Sequence, residues 1–577
     1  MTLLDTYSVQ KETEALFWEG ILRNPLHRSF PDGIEDAARS ISFSGSKLPF
    51  FPINWRYAES ISALKAFQGV MLNVLLHKKY GIPYQSIHID TDHAQLFLMS
   101  PAHPFATIDP EGEKIPTMYG GDHSGYDKFF PNLDIHHLAG PETPFIDIAT
   151  TNIYKLGDGR YYHVHASMDA NPSQKALGIN REKYLGLPSF KEACSVFKET
   201  TSKHFAQELD TLMNDQYRQA GTICHSIDEF RASEQGQANA HVGLYEIHHH
   251  PSTHQRPAWW TDVTKQTSPT RPLFGLKIVD LTRIIASPTA VRELAEMGAS
   301  VMRITAPHIT DMSQLQLDLG WGKWNSHLDL RKEGDRAQLR ELIMDADVVI
   351  DGYRPNVMKK WGFGKEEILE MVRGREKGII YAHENCYGWN GPWAHRSGWQ
   401  QISDAVTGVS LEFGRAMGVD EPVTPVFPNS DFCTGIAGAV GVLDALIQRA
   451  EKGGSFVVDI ALNYYSQWLV SSCGTYPQEI WDDLWSRYGK FTFRSTDNMS
   501  VTIPAYTKML SEKNTPAFNE NYFEIRKNGA LGVNVKTVKP ILRFEEGNVK
   551  LGYNVGSRPN GTDVAKWPND LMTEIIS

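Results

Sequence analysis

FGLKIVDLTRIIASPTAVRELAEMGASVMRI, residues 274–304, decides the fold. LKIVDL is a short continuous apolar run, the pattern of a strand buried on both faces. PTAVRELAEMG places apolar residues at helical spacing and stops at Gly298. ASVMRI is a second apolar run. A strand, a helix and a strand in that order imply parallel pairing across a helical crossover. The alternation continues downstream through HLDL (327–330), a helix to Asp345, DVVID (347–351), another helix and GIIYAH (378–383). The predicted fold class is α/β, with a parallel-sheet core of nucleotide-fold type and a smaller α/β domain beside it. In such sheets ligands sit beyond the carboxyl ends of the strands.

Upstream the pattern is different. AESISALKAFQGVMLNVLLHKKYG (58–81) reads as a helix that Gly81 stops, and SIHIDTDHAQLFLM (86–99) starts as a strand. Residues 107–140 are rich in Pro, Gly, His and Asp and read as irregular. YKLGDGRYYHVHAS (154–167) reads as a hairpin about a Gly-Asp-Gly turn. Residues 248–272, HHHPSTHQRPAWWTDVTKQTSPTRP, have no apolar period and read as a linker. His248, His249, His250 and His254 in it could bind a metal. With no other ligand cluster in support they read as a solvated polar loop, and no metal is expected.

Two segments resemble each other. Gly69 and Gly81 match Gly441 and Gly453 at equal spacing, and Asp90 matches Asp459 if three residues are inserted in the first copy. Each copy is a helix, a Gly break and a strand carrying Asp. In this register Glu59 falls opposite Asp431.

The 577 residues suit several domains. A formal charge of −11 argues against nucleic acid and anionic membranes as partners. The five cysteines have no zinc or CxxC spacing, which fits a reducing compartment. No signal peptide, apolar run of spanning length or C-terminal peroxisomal tag is seen, so the expectation is a soluble, cytoplasmic protein. The turn DLTRIIASPTA (280–290) has no G-x-G-x-x-G, and no P-loop or Gly-x-Ser-x-Gly elbow occurs. NAD, FAD, simple nucleoside-triphosphate and hydrolase chemistry are therefore disfavoured.

The order of motifs is more informative. The opening stretch is followed by HLDLRKEGDRAQLRELIMDADVVIDGYRPNVMKKWGFG (327–364), GWNGPWAHRSGWQQISDAVTG (388–408) and PNSDFCTGIAGAVGVLDALIQRAEKGGSFVVDIAL (428–462). This series closely resembles the family III coenzyme A transferases, the CaiB/BaiF superfamily, which also includes α-methylacyl-CoA racemases. The resemblance runs from Leu273 to about Asn463. It implies a core at 273–470. Residues 1–105 resemble the tail of a family unit, 106–247 a small α/β domain and 471–577 a return segment, in permuted order.

The resemblance places a catalytic nucleophile at Asp431, where Ser430 replaces the usual preceding Gly. Read from its residues alone, Asp431 lies at or near a helix N-cap, where the helix dipole and amide N–H groups would hold a carboxylate ionised. The resemblance further implies coenzyme A or acyl-CoA as cosubstrate, with contacts at Arg283, Ile285, Ala286, Leu328, Arg331, Gly352, Tyr353, Arg354 and Lys360. Thr305 and Ala306 stand where the family has a Glu and a basic residue. The implied activity is acyl-CoA:carboxylate CoA transfer through aspartyl anhydride and aspartyl-CoA intermediates. The alternatives are a racemase or an inactive CoA-binding or scaffolding protein. Trp399 and Gln400 replace the His and Asp that the family's racemases use, which favours transfer. Family members form interlocked dimers whose chains share a site, so a homodimer is expected to cover the strand ends.

Overall fold

The alternation around residues 274–304 becomes a seven-stranded sheet in the computed structural model. The structure describes residues 3–27, 30–102, 105–108, 126, 128–131, 143–263 and 266–577. Most of the stretch expected to be irregular, 107–140, lies outside the described residues.

The first unit is strand β1 (Ile41–Ser44), helix α1 (Tyr57–Tyr80) and strand β2 (Ile87–Asp90), with β1 and β2 parallel. Gly81 ends α1 at φ +69°, a left-handed cap that glycine adopts without steric cost. Next comes a small lobe whose antiparallel sheet is β3 (Asn152–Lys155), β4 (Tyr161–Val164) and β5 (Gly221–Ile223). β3 and β4 are the hairpin read about Gly-Asp-Gly.

The core follows in chain order. It comprises β6 (Glu246–His250), β7 (Lys277–Leu281), α2 (Ala286–Glu296), β8 (Ser300–Thr305), β9 (Lys323–His327) and α3 (Glu333–Met344). Then come β10 (Val348–Asp351), β11 (Ile380–Asn385), α4 (Gln400–Val406), α5 (Asn429–Lys452) and β12 (Ser455–Ala461). The strand order is β9-β8-β7-β10-β11-β12-β6. The pairings from β9 to β12 are parallel, and β6 runs antiparallel to β12. From β7 the chain winds outward one way to β9 and then the other way to β12. The reversal lies between β7 and β10, and the crevice at their carboxyl ends is where a ligand belongs.

Two strands differ from the sequence reading. His248, His249 and His250, expected in a linker, form most of β6. An edge strand needs main-chain pairing and only one packed face, so a polar run can supply it. His249 stacks on Phe456, ring centroids 4.5 Å apart. The third core strand is Lys323–His327, so HLDL supplies only its last residue. Its polar side chains are buried by the far C-terminus: Asp563 accepts from the Asn325 N–H at 2.8 Å, and the Thr573 carbonyl accepts from Trp324 Nε1 at 2.8 Å. Residues so distant in sequence leave no local period.

The C-terminal segment also closes onto the first unit. After the hairpin β13 (Phe523–Asn528) and β14 (Val533–Val538), strand β15 (Arg543–Phe544) pairs antiparallel with β2. α5 runs between the units, packed on α2 and on α1. It is long and apolar enough to cross a bilayer, but it is buried inside the fold. Gly435 makes its approach to α2 possible. A Cβ there would lie 2.5 Å from Thr289 Cβ and 2.7 Å from the Ala286 carbonyl. The first turns of the two helices are thereby brought together.

Candidate active site

Asp431 is the third residue of α5, and Pro428 is the N-cap. The carboxyl therefore lies inside the first turn rather than at the cap. Phe427, at φ +57°, turns the chain so that the helix begins two residues before Asp431. Among the described residues no side chain donates a hydrogen bond to the Asp431 carboxyl.

Two further carboxyls face the same place. Asp404 of α4 accepts from Ser430 Oγ at 2.5 Å and from the Gln400 amide. Ser430 thus ties the first turn of α5 to α4. Glu384, near the end of β11, accepts from Ser287 Oγ of α2 at 3.1 Å. Burial pushes Asp404 up to about 7 and Glu384 up to about 8. Burial, with added repulsion from Glu384 and Asp404, holds Asp431 well above the usual carboxylate range. The expectation of a carboxylate kept ionised by the helix terminus is reversed, because desolvation and like charge oppose the dipole.

A cavity of about 90 Å³ opens beside Asp431 at the switch point. Of the residues singled out from the sequence, Arg283, Ile285, Ala286, Gly352, Tyr353 and Arg354 line it. Leu328 and Arg331 line a neighbouring cavity of about 60 Å³ that shares Tyr353 and includes Thr305 and Ala306. Lys360 ends the helix Val357–Lys360 and lines neither. Arg331 is held by Asp329 through two bonds of 2.8 and 2.7 Å. Arg283 donates to the Thr310 carbonyl at 2.6 Å and lies 5.4 Å over the Tyr353 ring. Arg354 donates to Ser167 Oγ at 3.2 Å. Among the described residues neither Arg283 nor Arg354 has a carboxylate partner, so both can receive an anionic ligand such as phosphate. Arg396, also on this cavity, is paired with Asp210 at 2.8 Å.

A second cavity, about 200 Å³, lies on the other side of Asp431. The two share Ile284, Ile285, Trp399 and Asp431. Ile284 has φ +73°, a strained conformation for a β-branched residue, at the turn that separates the cavities. The small lobe roofs the second cavity with His163, His165 and Met168, and Asn498 to Ser500 close one side. Trp399 stacks on His165, centroids 5.0 Å apart and planes within 4°.

Glu384, Asp404, Arg396 and His165 escaped the sequence reading. Glu384 carried a usable signal, since it lies near the carboxyl end of a predicted parallel strand. The others reach the site only through tertiary packing.

Glu246, His248 and Asp459 could hold a metal ion, their ligand atoms lying within 4.8 Å of one another. Each already has hydrogen bonds. Asp459 accepts from His248 at 3.1 Å and from His383 at 2.5 Å, and Glu246 accepts from Tyr464 at 3.0 Å. The group sits on the β6–β12 edge of the sheet.

A doubly wound sheet, an arginine-lined cavity at its switch point and a carboxyl opening onto an adjoining apolar cavity define a group-transfer enzyme with an anionic cosubstrate. The chain belongs to CoA-transferase family III and is a CoA transferase. The family model matches residues 273–482. The chain is 50% identical to the acetyl-coenzyme A transferase nodX of Hypoxylon pulicicidum, over 99% of this chain and 95% of that one. It is 29% identical to an acyl-CoA transferase of Gibberella moniliformis, over 88% and 87% of the two chains. Among solved structures it is similar to a CaiB/BaiF family protein from Brucella suis, at 25% identity over 36% of this chain and 56% of that one, with a TM-score of 0.30.

Proposed function

We propose that the enzyme moves CoA from an acyl-CoA to a carboxylic acid through Asp431. The observation that carries this reading is the position of the Asp431 carboxyl at the junction of the two cavities. An acyl-CoA threaded through the first cavity brings its thioester carbonyl to that junction, with its phosphates near Arg283 and Arg354.

The Asp431 carboxylate attacks the thioester carbonyl, the C–S bond breaks, and CoA leaves as thiolate. The product is a mixed anhydride between Asp431 and the acyl group. The thiolate then attacks the aspartyl carbonyl, giving an aspartyl-CoA thioester and freeing the donor acid as carboxylate. An acceptor carboxylate attacks that thioester and releases the thiolate. The thiolate attacks the acceptor's acyl carbon, which forms the new acyl-CoA and restores Asp431. Protons balance without a separate acid or base. Each tetrahedral oxyanion needs donors. α2 has no side-chain cap and Pro288 carries no N–H, so the N–H groups of Ser287 and of Ala286, which lines the first cavity, are suited to this.

Racemisation needs a free base facing the α-carbon. His165, stacked on Trp399, is one of two imidazoles on the acyl side, and both its nitrogens are engaged: Nδ1 accepts from the Ser167 N–H at 2.9 Å, and Nε2 pairs with Gln401 Oε1 at 3.2 Å. Transfer is therefore the better reading. In solution the proposed assembly is a homodimer in which each protomer holds a whole site, and light scattering checks it.

Asp431→Asn tests the nucleophile. The amide keeps the size of the side chain but cannot form the anhydride, so transfer should fall by at least 1,000-fold, on the order of the 10³ or more lost when a covalent nucleophile is removed. CoA binding should persist. Incubating the wild-type enzyme with acyl-CoA and then hydroxylamine should convert Asp431 to a hydroxamate visible by peptide mass spectrometry. Full turnover by a folded Asp431→Asn enzyme would refute the assignment.

A further inference from the structure

The two cavities that meet at Asp431 differ in charge. The first carries three arginines. The second carries no lysine or arginine among the described residues that line it. Its histidines are uncharged near neutral pH, because burial lowers His163 to about 4 and holds His165 well below its usual value. Its one acid besides Asp431 is Asp147, which Arg181 already neutralises through bonds of 2.6 and 2.9 Å. Much of the wall is apolar and adaptable: Ile148, Met168, Met312, Met499 and the Trp399 face. The space is about 200 Å³, against the roughly 10–15 Å³ of the same measure that one water needs, so it holds far more than an acetyl group.

Building on the transferase reading, we propose that this cavity is the acyl pocket and that it selects monocarboxylic acids with an uncharged, mainly apolar body larger than acetate. Dicarboxylic acids are rejected. A second carboxylate in this pocket would lose its hydration and find no lysine or arginine on the wall, and an unpaired buried charge is strongly unfavourable.

The test uses Asp431→Asn enzyme, which binds without reacting, and three probes: CoA, hexanoyl-CoA and adipoyl-CoA, the last two matched in chain length. Titration calorimetry should show hexanoyl-CoA at least tenfold tighter than adipoyl-CoA and tighter than CoA itself. Equal binding of the two esters, or hexanoyl-CoA no tighter than CoA, overturns the pocket assignment. Met499→Lys places a cation in the wall, and it should bring adipoyl-CoA at least to parity. If it leaves the ratio unchanged, charge does not set the selection and the proposal fails. The hydroxamate trapped at Asp431 is a separate readout. Its formation with a reversed preference sinks only the substrate class, whereas its absence sinks the transferase chemistry beneath it.

Discussion

Glu384 and Asp404 both lie near Asp431, and charge on either raises the cost of charging Asp431. Such a group titrates as a unit. In the proposed mechanism Asp431 must be ionised to attack, and its proton is held above the usual carboxylate range, so kcat/KM should rise with pH above that range. Glu384→Gln removes an ionisable neighbour whose charge develops as the pH rises, and so lowers the pKa of Asp431. The rising limb should then move to lower pH by about one unit, the size typical of a single close charge. A pH–rate profile of the two enzymes checks this, and an unmoved limb would show that Glu384 does not act on Asp431. The position of Asp431 at the start of α5 was legible through its motif. Its electrostatics were not, because Ser430 and Asp404 are far apart in sequence and meet only when α4 packs against α5.

At the scale of elements, the repeat read from glycine spacing has a structural counterpart. α1 and α5 each span 24 residues, each carries an acid at its third position, and each ends at a glycine before a strand. Their acids have opposite surroundings. Asp431 opens onto two cavities. Glu59 is fully buried, accepts from Tyr7 and from Tyr476 at 3.0 Å, and lies 3.7 Å from Arg56. It is closed off from any substrate. Glu59→Gln should leave kcat within about twofold and cost roughly 1–3 kcal/mol of stability, the usual penalty for disturbing buried hydrogen bonds. Kinetics and denaturant unfolding measure both. A loss of activity like that of Asp431→Asn would instead reveal a second catalytic carboxylate. The helices, the hairpin and most core strands could be read from local periodicity. β6 and β9 could not, since one is held by main-chain pairing at an edge and the other by the distant C-terminus.

At the scale of the whole molecule, the first unit is tied to the core by a buried charge cluster. Lys65 of α1 pairs with Glu293 of α2, and Gln68 donates to the same carboxylate at 2.6 Å. Lys65→Met removes the nearer countercharge of Glu293 and leaves Arg292 at 3.6 Å, so it should destabilise the fold by up to about 3–5 kcal/mol, more than a surface pair contributes. Thermal or denaturant unfolding measures it, and a loss under about 1 kcal/mol, the value of an exposed pair, would show the two units are joined by packing alone.

The roof over Asp431 belongs to the chain that carries Asp431, and this has a genetic consequence. Where two chains share each site, a mixture of two dead variants with different lesions restores some intact sites, and partial activity returns. With a whole site in each protomer, as proposed, each lesion stays with its own site. Asp431→Asn and a roof variant such as Met168→Arg, each inactive, should remain inactive when co-expressed or when unfolded and refolded together, whatever the number of chains in the particle. Recovered turnover in the mixture would mean that the lobe can reach across to a neighbouring chain.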